Sequence, residues 1–378
     1  MSEEIEIATP IEKLALDRKL LTKKQLDQCI ELVKKSKKIG LDATLEEILI
    51  KQGILTEQMV HELREISQLT EDGTVFGAYR LGKQIGAGGM GKVYEGIHEF
   101  MGRTVAVKVI HPALTTDKTN ATRFFQEIRA LAKLCHPNIV TIYDAGRVKA
   151  RHYFAMELLP GPSLKDYVDS KKMLDELEAV TIIRTMAGAL AHSHSKNVIH
   201  RDVKPENIMF DSNGLPKITD FGLVMHHDED HMSLTMEGHL VGSFYYTSPE
   251  QIDGNRDIDG RADIYALGAT LYYLLTGRTV YTASSVQELL TKHLSGTFIS
   301  PRKYNPTVSV HTEKLIRKMM AIKREKRFQT MNAVVTAINT PSLLQRIKAL
   351  AVPALFAVAL LGLGMVAERI FSFLIKLH

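Results

Sequence analysis

The stretch His200-Arg201-Asp202-Val203-Lys204-Pro205-Glu206-Asn207, followed by Asp220-Phe221-Gly222, decides the fold of this chain. Upstream of it lies a glycine run, Gly86-Ala87-Gly88-Gly89-Met90-Gly91-Lys92-Val93. Taken alone, G-x-G-x-x-G also marks dinucleotide-binding folds, which set it between a strand and a helix. Here alternating apolar residues on both sides, over 79–85 and 92–97, predict strands. That argues for a hairpin folding over phosphates, where a Cβ would keep backbone N–H groups away from the oxygens. A plain flexible hairpin is the alternative for the motif by itself. Next comes Val105-Ala106-Val107-Lys108, a lysine in an apolar strand over 103–110. Such a lysine calls for an anionic partner. Glu127 is the candidate, on a helix predicted over 121–134, and an ordinary structural salt bridge explains that pair equally well. From Leu174 onward helical patterns dominate. Strands followed by helices predict an α+β architecture in two lobes.

The five elements together resemble the protein-kinase superfamily over residues 79–340, and most closely the bacterial eukaryotic-like (Hanks-type) Ser/Thr kinases. The resemblance implies ATP-dependent phosphorylation of serine and threonine in protein substrates, with ATP and Mg²⁺ as cofactors. It implies that Lys108 holds the α- and β-phosphates and that Glu127 orients it. Asp220 and Asn207 become the Mg²⁺ ligands, since Mg²⁺ takes hard oxygens. Asp202 accepts or orients the hydroxyl proton, and Lys204 neutralises the γ-phosphate. A lysine two residues after the catalytic aspartate is the Ser/Thr pattern. Tyrosine kinases usually lack it. The adenine pocket implied by the match has Ile85, Val93 and Ala106 as roof and Met209 as floor. Met156 stands at the gatekeeper position, and Glu157 and Leu159 offer backbone groups. Simple core packing is the alternative for these apolar positions.

The match continues past Gly222. Ser248-Pro249-Glu250 stands where Ala-Pro-Glu is usual, with Arg327 as the expected partner of Glu250. Asp263 is expected to brace the catalytic loop, and His194 reads as a hydrogen-bonded core residue. Ser243 replaces a usual threonine, and the segment 321–327 lacks the usual Asp-Pro pair; no catalytic position is missing. By resemblance to relatives phosphorylated in this loop, Thr235 is the autophosphorylation candidate and Ser233 the lesser one. Glu237 is either a partial phosphate mimic beside Arg201 or merely solvated. His226, His227, His231 and His239 lack a regular metal-ligand spacing. An ATP-binding scaffold acting through another domain is the competing function, and the intact Lys108, Asp202, Asn207 and Asp220 speak against it. A small-molecule kinase is disfavoured by Ser248-Pro249-Glu250.

The whole chain has 378 residues, 45% of them apolar and 24% charged, which suits two or three folded domains. A net charge of +5 spread over 48 basic and 43 acidic residues gives no nucleic-acid signature. Two cysteines make no disulfide framework, which fits a reducing compartment, and the acidic start MSEEIEIATP is not a signal peptide. Residues 1–70 predict a small all-α regulatory or interaction domain. It holds a weak repeat, ALDRKLLTKKQL at 15–26 and LIKQGILTEQMV at 49–60. Thr22 and Thr56 are the expected N-caps, Thr22 with Gln25 in a capping box. This part loosely resembles the N-terminal helical domain of type II secretion ATPases, some relatives of which bind cyclic dinucleotides. A plain interaction or spacer domain is the alternative. Residues 71–78 read as a linker.

At the other end, 349–367 is a run of 19 uncharged residues after Arg346 and Lys348, with Glu368-Arg369 closing it. About 20 apolar residues span a bilayer, and basic flanks stay cytoplasmic. The expectation is a basic juxtamembrane segment over 341–348, a C-terminal transmembrane helix over 349–367 and a short tail over 368–378. That would make the membrane a partner and place a single-pass protein in the inner membrane with its kinase domain in the cytoplasm. A helix docked on the kinase is the alternative, and homodimerisation is left open.

Overall fold

The computed structural model describes residues 15–16, 20–38, 43–60, 63, 74–88, 91–111, 118–149, 151–221, 243–255 and 257–340. The chain forms two compact units, Met1–Phe125 with Ile142–Leu158, and Gln126–Thr141 with Leu159–His378.

The first unit opens with two helices, α1 (Lys23–Lys38) and α2 (Leu45–Lys51). Thr22 begins α1 as expected, accepting from Gln25 N–H at 3.3 Å while Gln25 Oε1 accepts from Thr22 N–H at 2.8 Å. Thr44 and Glu47 build a second box on α2 that the sequence reading passed over. Thr56 accepts from the N–H of Met59. Gly53 stands two residues past α2 with φ of 65°, where a Cβ is disfavoured. Leu21, Leu26, Cys29, Ile48, Leu49, Leu55, Val60 and Leu63 form the core of this small domain.

The same unit holds a six-stranded sheet in the order β1-β2-β3-β4-β6-β5. Its strands are β1 (Val75–Phe76), β2 (Tyr79–Gly88), β3 (Gly91–His98), β4 (Thr104–Ile110), β5 (Ile142–Val148) and β6 (Arg151–Met156). Every pairing in it is antiparallel. The stretch read as linker therefore contains a strand. Phe76 packs edge-on to Tyr153 at 5.4 Å, and Gly77, with φ of 65°, lies where a Cβ would meet the Tyr153 hydroxyl at 2.4 Å. Val105, Val107 and Val109 fall on one face of β4 and are buried with Phe76, Tyr79, Leu81, Tyr94 and Tyr153.

Between the units in sequence runs α3 (Lys118–Leu131). Phe124 and Phe125, in the first unit, pack against His152. Among its described residues the second unit is helical apart from the hairpin β7 (Ile208–Phe210) and β8 (Pro216–Ile218). Its helices are α4 (Leu164–Lys171), α5 (Glu176–Ser195), α6 (Pro249–Ile252), α7 (Arg261–Thr276), α8 (Val286–Ser295), α9 (Pro301–Tyr304), α10 (Val310–Met319) and α11 (Met331–Asn339). Helix α7 is the central one, buried along its length from Ala262 to Thr276. A helix apolar on all sides belongs in a core, and the others surround it.

One buried polar group in this core sets an acid limit. His293 on α8 is fully buried; its Nδ1 lies 2.8 Å from the Tyr265 hydroxyl, and burial pushes its pKa down to about 4. The unfolded imidazole titrates near 6.5, so the fold favours the neutral form. The stabilisation is complete above pH 6.5 and is lost as pH falls toward 4. Between pH 7 and 5 it amounts to about 2 kcal/mol. Urea unfolding of wild type and His293→Gln at both pH values measures it, and the variant is expected to lose less stability on acidification.

The α+β, two-lobed architecture is as expected, and the membrane expectation is corrected. No helix among the described residues is long and apolar enough to cross a membrane, and 349–367 lies outside those residues. The expectation rested on an uncharged composition, and composition is not a helix. Pro353 also sits within the run, and Glu368-Arg369 ends it. The transmembrane helix, the membrane as a partner and the inner-membrane location are accordingly withdrawn.

Candidate active site

In the first unit the glycine run is the tip of the β2–β3 hairpin, with Gly86 opposite Val93, Ala87 opposite Lys92 and Gly88 opposite Gly91. Gly89 and Met90 lie outside the described residues. The glycines differ in purpose. At Gly91, with φ of 145°, a Cβ would meet the Val109 carbonyl oxygen at 2.1 Å, so packing alone demands glycine. At Gly88 a Cβ would meet nothing within 4 Å, and at Gly86 only Val93 at 3.7 Å. Packing does not require glycine there, and its effect is to leave bare backbone open to a bulky anion.

Register puts more of the predicted residues on that side. Val93 lies opposite Lys108, and Ala106 opposite Met156. Opposed residues share a face and so do residues two apart. Gly86, Val93, Ala106, Lys108 and Met156 therefore line one face of the sheet, the face turned away from Val105, Val107 and Val109. Lys108 is only 6% exposed, and an ammonium that far from water needs anionic company. Ile85 is exposed, and Glu157 follows β6 half-buried. Glu127 belongs to the second unit, as do Leu159, which is buried, and Met209, half-buried on β7.

The second unit gathers the polar residues. Asp263, completely buried at the start of α7, accepts from the main-chain N–H of His200 at 2.9 Å and of Arg201 at 2.8 Å. His194 Nε2 lies 2.7 Å from the same carboxylate. Burial alone would raise the Asp263 pKa, but the hydrogen bonds from His194 and from the His200 main-chain N–H outweigh it and hold the carboxyl below its usual range. His200 is fully buried, and burial depresses its pKa. Its Nε2 meets the Thr219 carbonyl at 2.9 Å and so carries the proton, leaving Nδ1 to accept from the Asp202 N–H at 3.2 Å. Phe221 stacks on the His200 ring at 4.4 Å.

This frame fixes Asp202. Lys204 Nζ reaches Asp202 Oδ2 at 2.7 Å, and Asn207 Nδ2 donates to the same oxygen at 2.9 Å and to the Asp202 carbonyl at 2.8 Å. Both bonds fall on Oδ2. The Asn207 amide spends its nitrogen on Asp202, and its oxygen is the atom that could hold a cation. Arg201 and Asp220 both take left-handed backbone, φ 66° and 53°. Such strain persists at non-glycine residues only where the surroundings over-determine it.

Glu250 and Arg327 form the expected pair, bidentate at 2.6 and 2.7 Å. Thr235, Ser233, Glu237 and the histidines 226, 227, 231 and 239 lie outside the described residues. One side chain that ties to the catalytic loop, Gln251, had no role in the sequence reading.

Comparison with known proteins agrees with this arrangement. The family model described as protein kinase domain matches residues 79–337. The chain is similar to the probable serine/threonine-protein kinase PknB of Lactococcus lactis, 37% identical over 269 residues, which are 71% of this chain and 42% of the relative. It is 35% identical over 266 residues to the serine/threonine-protein kinase PrkC of Bacillus subtilis, covering 70% of this chain and 41% of that one. A crystal structure of the PknI kinase domain from Mycobacterium tuberculosis superposes with a TM-score of 0.57 at 25% identity, covering 71% of this chain and 97% of that domain. The chain belongs to the protein kinase family, and residues 79–337 are a serine/threonine protein kinase domain of the bacterial Hanks type. The chain spans about two fifths of the length of the curated relatives it matches. These matches lend no support to a kinship of residues 1–70 with type II secretion ATPases.

Proposed function

We propose that the protein transfers the γ-phosphoryl group of ATP to serine and threonine hydroxyls of protein substrates and autophosphorylates its activation loop. One observation carries this reading: Asp202 is held on one oxygen by Lys204 and Asn207, in a loop whose backbone is clamped by buried Asp263. A carboxylate so fixed is suited to accept a hydroxyl proton. Lys204, at the same oxygen, is suited to offset charge on the transferring phosphoryl oxygens.

The donor set fits ATP with Mg²⁺. Gly86 and Gly88 leave backbone free for phosphates, and Lys108 supplies a buried cation for the α- and β-phosphates. Asn207 and Asp220 would hold Mg²⁺ through hard oxygens. When bound, Mg²⁺ neutralises phosphate charge and aligns the phosphoryl group. Within the first unit, Ile85, Val93, Ala106, Met156 and Glu157 would face the adenine.

Incubation of the full chain with ATP, Mg²⁺ and a generic protein substrate tests the reading. Phosphoserine and phosphothreonine are expected in the substrate, and phosphate on Thr235, with less on Ser233, in the kinase itself. Mass spectrometry reads both. No transfer above the level of Asp202→Asn would sink the reading and favour an ATP-binding scaffold. Transfer without phosphate on Thr235 would remove that residue alone. If Glu237 pairs with Arg201 in part, Glu237→Ala slows the dephosphorylated enzyme, and equal initial rates dismiss it.

A further inference from the structure

Gln251 joins two parts of the second unit far apart in sequence. Its Oε1 lies 3.2 Å from the main-chain N–H of Ser248 and 2.8 Å from Ser248 Oγ, accepting from both. Its Nε2 donates to the main-chain carbonyl of Arg201 at 2.8 Å. The accepting half is ordinary capping, a glutamine three residues into a helix reaching back to the N-cap. Capping does not need the donating half, which crosses 50 residues of sequence to the catalytic loop.

The bond falls on a sensitive residue. Arg201 immediately precedes Asp202 and has the left-handed φ of 66°. Its N–H is taken by Asp263 Oδ1 at 2.8 Å and its carbonyl by Gln251. The strained residue is thus held from both ends. The turn that carries Gln251 is itself anchored, because the neighbouring Glu250 is locked by Arg327. An apolar side chain at 251 would take a partner from the Arg201 carbonyl and from the Ser248 N–H.

We propose that Gln251 is a positioning residue for phosphoryl transfer. Through the Arg201–Asp202 peptide it sets the catalytic carboxylate, and through Ser248 it ties that setting to the start of α6 (Pro249–Ile252). The proposal rests on Asp202 being the catalytic carboxylate.

The test measures phosphoryl transfer to a generic protein substrate by the full chain, as wild type, Asp202→Asn, Gln251→Leu and Gln251→Glu, from pH 5.5 to 8.5. Gln251→Leu is expected to lower kcat by about 10-fold or more with KM for ATP nearly unchanged, as a small displacement of a catalytic group does. Gln251→Glu keeps the acceptor for Ser248 but faces the Arg201 carbonyl with a carboxylate. At pH 8 it should be as slow as the leucine variant. On acidification its carboxyl gains a proton it can donate to that carbonyl, so its rate relative to wild type should rise several-fold. Asp202, His194, Glu250 and Asp263 are present alike in wild type and in both Gln251 variants, and the ratio to wild type at each pH cancels their shared effects. A leucine variant at wild-type kcat, or a glutamate variant whose relative rate ignores pH, overturns the proposal. If the leucine variant does not fold, the glutamate profile decides. Wild type no faster than Asp202→Asn would instead overturn the reading of Asp202, which is a separate result.

Discussion

Replacing Asp202 with asparagine is expected to slow phosphoryl transfer by about 10²- to 10⁴-fold while the protein stays folded and binds ATP. In the proposed function this carboxylate takes the hydroxyl proton, and an amide cannot take it. An asparagine keeps the bonds from Lys204 and the Asn207 amide, which now share one carboxylate oxygen, only by turning its carbonyl to them, which puts an NH₂ donor in place of the other oxygen. The fold should survive, because the catalytic loop is held by Asp263 acting on the backbone of His200 and Arg201 and not by the Asp202 side chain. Rate assays beside thermal unfolding and nucleotide titration separate these claims. A purified Asp202→Asn protein with near-normal rate would remove Asp202 from the chemistry.

The largest effect on stability is expected at Arg327. Its side chain is entirely buried, and besides the two bonds to Glu250 it donates to the carbonyls of Ala321, Arg261 and Ile322 and lies over the Tyr265 ring at 4.9 Å. Arg327→Ala would strand the Glu250 carboxylate in a dry interior and leave three carbonyls short of a donor. Breaking such a pair from one side costs about 3–5 kcal/mol, a large part of a domain's usual stability. Replacing both partners with apolar residues of similar size should cost clearly less. Urea unfolding of Arg327→Ala and of the double variant Glu250→Leu/Arg327→Met measures the difference; equal losses would contradict this account.

What could be read from sequence followed the range of the interactions. The His200–Asn207 stretch and the glycine run are local patterns, and their residue types are unusual enough to mark a two-lobed kinase. The Glu250–Arg327 pair was also legible, because its members sit in recognisable contexts. Gln251 was not, since a glutamine at a helix start looks like a cap and its bond to Arg201 exists only once the chain has folded. Val75–Phe76 escaped because two residues show no alternation. Thr44 with Glu47 was readable as a capping box and was passed over. At the C-terminus, lack of charge over 349–367 was taken for a membrane span, and composition alone does not carry that conclusion.

The match to the family model begins at residue 79, yet the sheet does not. Phe76 seals a cluster with Tyr79 and Tyr153, and β1 covers the outer rim of β2. A protein cut at residue 79 would keep every motif of the kinase and expose both tyrosines and a raw strand edge, a template for self-association. The family match and the folded sheet therefore have different borders in this chain.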